Sequence, residues 1–239
     1  MKTFVINLGK NVSRLEAIRA RLDQLNIPFE RFPAIYGRML SPAEKRAHSN
    51  RFAWWCLRGQ KMRDGELGCA LSHLGVYKHI VEKKVPIALI LEDDAKVYDC
   101  LPKVCEYVES NIDLDKSIVV QVANHTGLSF NDWRVVKIES ALYSEGYVIT
   151  NKAAEALLKA NSPVCTPSDS WKYWSAKGFI ELYQVFPAGC DQEWQSNGYC
   201  SDVTPNAGEV ENVNDMPLFG KLLWKTKRAI GYVIAKLFF

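Results

Sequence analysis

No apolar run in the 239 residues approaches the roughly 18 that a membrane span requires. There is no internal repeat and no low-complexity tract, which sets aside solenoids and disordered scaffolds. None of the seven cysteines stands in a C-x-x-C, their number is odd, and Cys100 and Cys105 have no second pair nearby. That pattern argues against zinc and against a disulfide framework, and predicts reduced, mostly buried thiols. The opening MKTFVINLGKN lacks the longer apolar core and cleavage pattern of a signal peptide, so the expected compartment is the cytosol. Acid is absent from the last twenty residues, 220–239, which hold Lys221, Lys225, Lys227, Arg228 and Lys236. The rest is near neutral, with no basic face or nucleic-acid motif, so nucleic acid is not an expected partner.

What is present reads as one α/β domain. KTFVINL is a short buried strand. NVSRLEAIRARLDQLN follows with Leu15, Ile18, Leu22 and Leu25 at helical spacing, capped by Asn11 or Ser13 and closed by Pro28; FERFPAI is the next strand. That is a βαβ unit, and such units give parallel strands. Residues 38–65, with Pro42, Gly59, Gly65 and FAWW, read as a long loop of the kind that forms lids or binding segments. In ELGCALSHLGVYKHIVEKK, Ala70, Leu74, Tyr77 and Val81 form an apolar stripe. Gly68, Ser72, Gly75 and His79 form a mostly small face that permits close approach. IALIL, SIVVQV, RVVKI, GYVIT and FIELYQVF read as strands, and NKAAEALLKA as a helix capped by Thr150 or Asn151.

The strand in PIALILEDDAKV runs straight into Glu92, Asp93 and Asp94. Adjacent like charges at a buried strand end are costly unless a cation or strong donors meet them. In open α/β sheets ligands sit at the carboxyl ends of the parallel strands, and clustered hard oxygens suit Mg²⁺ or Mn²⁺, which in turn bind phosphate oxygens. A solvated acidic turn is the alternative.

The order GELGCALSH, then about a dozen residues, then ALILEDD resembles glycosyltransferase family 25, the family of bacterial lipooligosaccharide β-galactosyltransferases and related collagen galactosyltransferases. FVINLGKNVSRLEAIRARLDQLNIPFERFPAIYG, YSEGYVITNKAAEALL and TPSDSWKYW are similar to further blocks of it, so the resemblance covers residues 3 to about 200. It implies a GT-A-like fold over 1–216: a central, mostly parallel sheet flanked by helices, binding a UDP-sugar with Mn²⁺ or Mg²⁺. The acidic cluster stands where the family has a DxD-like motif, though a strict D-x-D is absent. On this basis Asp94 is the expected metal ligand, Asp93 acts through metal, water or ribose, and Glu92 supports them. Asn7 and Arg14 are expected to face the nucleotide, and Ser72 and His73 to lie beside the donor. For Arg14 a solvated helix position, and for His73 a buried structural role, are the alternatives. Ser72 and His73 cannot form a hydrolase dyad, because adjacent helix positions point about 100° apart.

Asp169, beside Trp171, Tyr173 and Trp174, is the expected catalytic base, with the aromatic faces available to a sugar ring. The alternative makes Asp169 a helix cap and the tryptophans core. Asp191 and Glu193 in GCDQEW are reserve candidates. In 217–239 an apolar face of Leu223, Ile230, Val233, Ile234 and Leu237 opposes the basic residues, which predicts an amphipathic helix on an anionic membrane surface. Together these features predict a metal-dependent inverting transferase adding a hexose, galactose foremost, to a lipid-linked lipooligosaccharide or LPS acceptor at the cytoplasmic face of the inner membrane. The rival reading is an inactive carbohydrate- or membrane-surface-binding protein on the same fold, suggested by the imperfect acidic motif and the lack of histidine after His125.

Overall fold

A computed structural model describes residues 1–124, 128–130 and 132–192. In chain order the elements are β1 (Lys2–Asn7), α1 (Val12–Gln24), β2 (Glu30–Pro33), a 3-10 turn (Gly37–Met39), α2 (Pro42–Ala47), α3 (Arg51–Arg58), α4 (Asp64–Glu82), β3 (Ile87–Glu92), β4 (Ala95–Val97), α5 (Leu101–Asn111), β5 (Ile118–Gln121), β6 (Arg134–Lys137), β7 (Gly146–Thr150), α6 (Asn151–Ala160), α7 (Trp171–Ala176), β8 (Glu181–Phe186) and β9 (Cys190–Gln192). Seven strands form one sheet in the order β2-β1-β3-β7-β5-β8-β6, with β4 and β9 paired separately. The sheet is mostly parallel: β7 and β6 alone oppose the common direction.

Helices cover both faces, which explains the near-continuous apolar strands. Side chains alternate along β3. Ile87, Leu89 and Leu91 pack with Ile18 and Leu22 of α1 and Leu101, Val104 and Val108 of α5. Ala88 and Ile90 face the other way, onto Leu67, Tyr77 and Ile80 of α4 and Ala153 and Leu157 of α6. The expected βαβ start is present, with β1 parallel to both β2 and β3. Thr150 caps α6, its hydroxyl accepting from the Ala153 amide at 3.3 Å. No helix among the described residues is long and apolar enough to cross a membrane. The expected amphipathic helix at 217–239 lies outside the described residues.

Residues 38–65 are not the loop that their prolines and glycines suggest. Ser41 and Glu44 form a reciprocal capping box with Pro42 in the first turn of α2. Asn50 caps α3, and Gly59 ends it in the left-handed region at φ 68°. Trp54 of the FAWW cluster is fully buried, so the segment is anchored through the core. The sequence reading also passed over α5, α7 and the β4–β9 pair.

The small face of α4 carries the expected close contact. Ser72 Oγ accepts from the Ile35 amide at 2.8 Å. A Cβ on Gly68 would stand 2.6 Å from the Gly37 nitrogen and the Ile35 oxygen. Those are backbone atoms in a fixed turn and cannot swing aside. Alanine would gain about 1 kcal/mol in helix propensity, but overpacking of this kind costs ~1–3 kcal/mol and should win. Gly68→Ala is therefore expected to lower the urea midpoint without changing the slope; an unchanged or raised midpoint would show that the turn yields.

Candidate active site

The sheet topology builds the site. Ile6 pairs with Glu92, and Leu91 pairs with Gly146, so β1 and β3 end at the edge where antiparallel β7 begins. Asn7, the Glu92–Asp94 triplet and Ser144–Glu145 thus converge without any long-range loop having to carry them there.

On the α1 side Asp93 is held by donors. Asn7 Nδ2 donates to Asp93 Oδ2 at 2.7 Å, and Arg14 donates to Asp93 Oδ1 at 3.3 Å. Arg31 Nε donates to Asn7 Oδ1 at 2.9 Å, which fixes the amide. Burial pushes the Asp93 carboxyl up, while Asn7 and Arg14 pull it back without fully compensating. Arg14 also lies 3.9 Å from Asp94. Asn7 and Arg14 are therefore brought to the acids, and the solvated-helix alternative for Arg14 does not hold.

On the α4 side Ser144 Oγ donates to Glu92 Oε1 at 2.6 Å. His73 Nε2 stands 3.3 Å from the same oxygen, close but not aligned as a hydrogen bond. The other ring nitrogen is 2.6 Å from the Tyr147 hydroxyl, which is 2.8 Å from that of Tyr77. Burial raises Glu92, but His73, Ser144 and Arg14 outweigh it and hold the carboxyl below its ordinary value. Ser72 is not part of this group: its hydroxyl bonds to Ile35 and to the Gly68 carbonyl, fastening α4 to the chain after β2.

Asp94 bears the remaining cost. Its Oδ1 is buried and has no hydrogen-bond partner among the described residues. Burial, then the charges of Glu92 and Asp93, push its carboxyl up to about 7 against the opposing pull of Arg14.

Asp169 lies in the turn before α7, next to Ser168, whose hydroxyl is 3.3 Å from those of Ser144 and from Cys69 Sγ. Burial raises Asp169; Glu92 adds to this, and Arg58 and His73 oppose it. The turn therefore belongs to the same electrostatic neighbourhood, and Arg58 enters it from α3. The tryptophans are not a sugar platform. Trp171 is fully buried with its indole N–H on the Tyr143 carbonyl, and Trp174 is core as well. Nor is Asp169 the cap of α7, a position held by Ser170. Asp191, on β9 opposite Lys96, accepts from Tyr98 at 3.3 Å. Glu193 lies outside the described residues.

Arg31, Ser144, Tyr147 and Ser168 escaped the sequence reading. The nearest signal was YSEG, polar residues set directly before a strand that enters the sheet at the site.

The profile of glycosyltransferase family 25 (LPS biosynthesis protein) matches residues 1–145, more than half of the chain. The chain belongs to glycosyltransferase family 25. A Haemophilus influenzae protein named "Putative glycosyltransferase" is 26% identical over 254 aligned residues, covering 98% of this chain and 86% of that protein. Procollagen galactosyltransferase 1-B of Xenopus laevis is 31% identical over 98 residues, 40% of this chain and 16% of that protein. Procollagen galactosyltransferase 2 of Homo sapiens is 25% identical over 174 residues, 66% and 27% respectively. The chain thus spans well under a third of the length of these procollagen relatives. Family 25 membership supports a transferase, and the family-matched segment contains the acidic triplet, Cys69, His73 and Ser144, while Tyr147 and Ser168 lie beyond it.

The raised Asp94 carboxyl has a stability consequence. An Asp at its ordinary 3.8 when unfolded and at about 7 when folded makes the folded chain bind more protons between those values. Stability then falls as pH rises through that window. In chelator, Asp94→Asn is expected to be more stable than wild type at pH 8 by on the order of 2–4 kcal/mol, the gap closing toward pH 4. Equal denaturation midpoints at pH 8 would contradict this.

Proposed function

We propose that this family 25 member is a metal-dependent, inverting glycosyltransferase. It moves a hexose, galactose foremost, from a UDP-sugar to a hydroxyl of a lipooligosaccharide, LPS or related glycan acceptor. The observation that carries the reading is the buried Asp94 Oδ1, without a hydrogen-bond partner among the described residues, within three carboxylates at the sheet edge. That donor set fits a hard divalent cation, Mn²⁺ or Mg²⁺. Asp94 is the primary ligand in this reading, Asp93 assists and Glu92 supports. Such a cation supplies Lewis-acid stabilisation of the departing diphosphate.

The chain's own residues do the rest. Asn7 and Arg31 hold Asp93 in place. Arg14, a forked donor, steadies the acids and offers a phosphate contact. Asp169 takes the proton from the acceptor hydroxyl as its oxygen attacks the anomeric carbon; burial that raises a carboxyl makes it a better base. Asp191 is the reserve for this role. The similarity to procollagen galactosyltransferases favours galactose. A basic helix at 217–239 would hold the enzyme at an anionic cytoplasmic membrane face, where a lipid-linked acceptor is found.

The deciding assay is UDP release from a panel of UDP-sugars, with Mn²⁺ or chelator, alongside UDP binding by calorimetry. Release from one donor should be chelator-sensitive and fall about 100-fold or more in Asp94→Ala. In Asp169→Asn transfer should fall by about 10²–10⁴ with UDP binding retained. A chain that binds no UDP in the presence of Mn²⁺ would sink the proposal, and binding without turnover on any acceptor would select a carbohydrate-binding role instead.

A further inference from the structure

Beside the acidic cluster, α4 and β3 bring together a chemically softer group. Cys69 and His73 are four residues apart on α4 and so share a face of the helix, and that face meets the end of β3 at Glu92. The Cys69 sulfur, a His73 ring nitrogen and a Glu92 oxygen all lie within 4.8 Å of one another. His73 is 1% exposed, yet its Nε2 has no hydrogen-bond partner among the described residues. A buried ring nitrogen in that condition needs some other partner.

Each member of the trio is steadied from behind. His73 Nδ1 meets Tyr147 at 2.6 Å, and Tyr147 is backed in turn by Tyr77. Glu92 accepts from Ser144 at 2.6 Å, and Cys69 Sγ meets Ser168 at 3.3 Å. Outer partners of this kind orient ligating side chains and set which imidazole nitrogen is free to ligate. In the tautomer that donates Nδ1–H to Tyr147, Nε2 is the ligating nitrogen, and it stands 3.3 Å from Glu92 Oε1.

The geometry points to a site for a thiophilic divalent cation of the zinc class, held by Cys69 Sγ, His73 Nε2 and a Glu92 oxygen, with a fourth position open. One sulfur, one nitrogen and one oxygen suit zinc or cobalt and are a poor set for Mg²⁺, Mn²⁺ or Ca²⁺. Three protein ligands with an open position mark an exchangeable site rather than a closed structural one. Binding forms the metal–sulfur bond and releases the Cys69 thiol proton to solvent. Scattered cysteines argue only against a zinc site built on paired cysteines; a mixed trio from a helix and a strand end leaves no such spacing. The trio shares only Glu92 with the acidic cluster, and the test reads the Cys69 sulfur rather than UDP release, so failure of this site and failure of the transferase proposal are distinguishable.

The test titrates the metal-free full chain with Co²⁺. One equivalent is expected to produce a sulfur-to-cobalt charge-transfer band that Zn²⁺ displaces and excess Mg²⁺ does not. Cys69→Ser should abolish the band. Tyr147→Phe should keep it while weakening Co²⁺ binding about 10–100-fold. X-ray absorption at the zinc edge of the wild-type complex requires no variant and should count a single sulfur among nitrogen and oxygen ligands. Absence of the band in wild type, a band undiminished in Cys69→Ser, or a sulfur count of none or more than one overturns the proposal.

Discussion

Three carboxylates at the end of a strand buried on both faces pose an electrostatic problem that the surrounding elements are arranged to meet. Like charges this close cannot all ionise without compensation. The chain distributes the problem. Asp93 receives donors from the first strand and the first helix. Glu92 receives a serine hydroxyl and sits beside the buried imidazole. Asp94 is left with a raised carboxyl and an oxygen unmatched among the described residues. Residues that answer the triplet come from β1, α1, β2, α4 and the entry to β7, so the arrangement depends on nearly the whole parallel half of the sheet.

Periodicity exposed most of that scaffold. Where an element is buried on a continuous face, as in β3 or α6, spacing alone identifies it. Segment 38–65 misled because its polar residues are capping groups: Ser41, Glu44 and Asn50 satisfy helix-end amides, and a run rich in such residues looks like loop unless each is paired with the amide it caps. The aromatic residues of 171–174 misled differently. Composition shows that an indole is present but not which side of the chain faces solvent, and here the rings went to the core.

At the site, Asn7, Arg14, His73 and the acidic triplet could be anticipated because each sits at an element end or in a block resembling the family. Ser144, Tyr147 and Arg31 could not, since their significance comes from which strands lie side by side. β7 runs against β3, and only that pairing turns an ordinary GYVIT strand into the support of a buried imidazole. Ser72 shows the reverse case: one position along the helix from His73, it fastens α4 to the chain after β2 and bonds to none of the acids.

That pairing also ties the support of His73 to the packing of Trp171. Side chains of a strand alternate between faces, so a slip of one residue in β7 moves its whole set across the sheet. Tyr147 would then leave α4 for the α1 side, taking the hydroxyl from His73 and the ring from Trp171 together. The connection at 138–145 is accordingly a poor place for single-residue insertions, even where it runs over the surface.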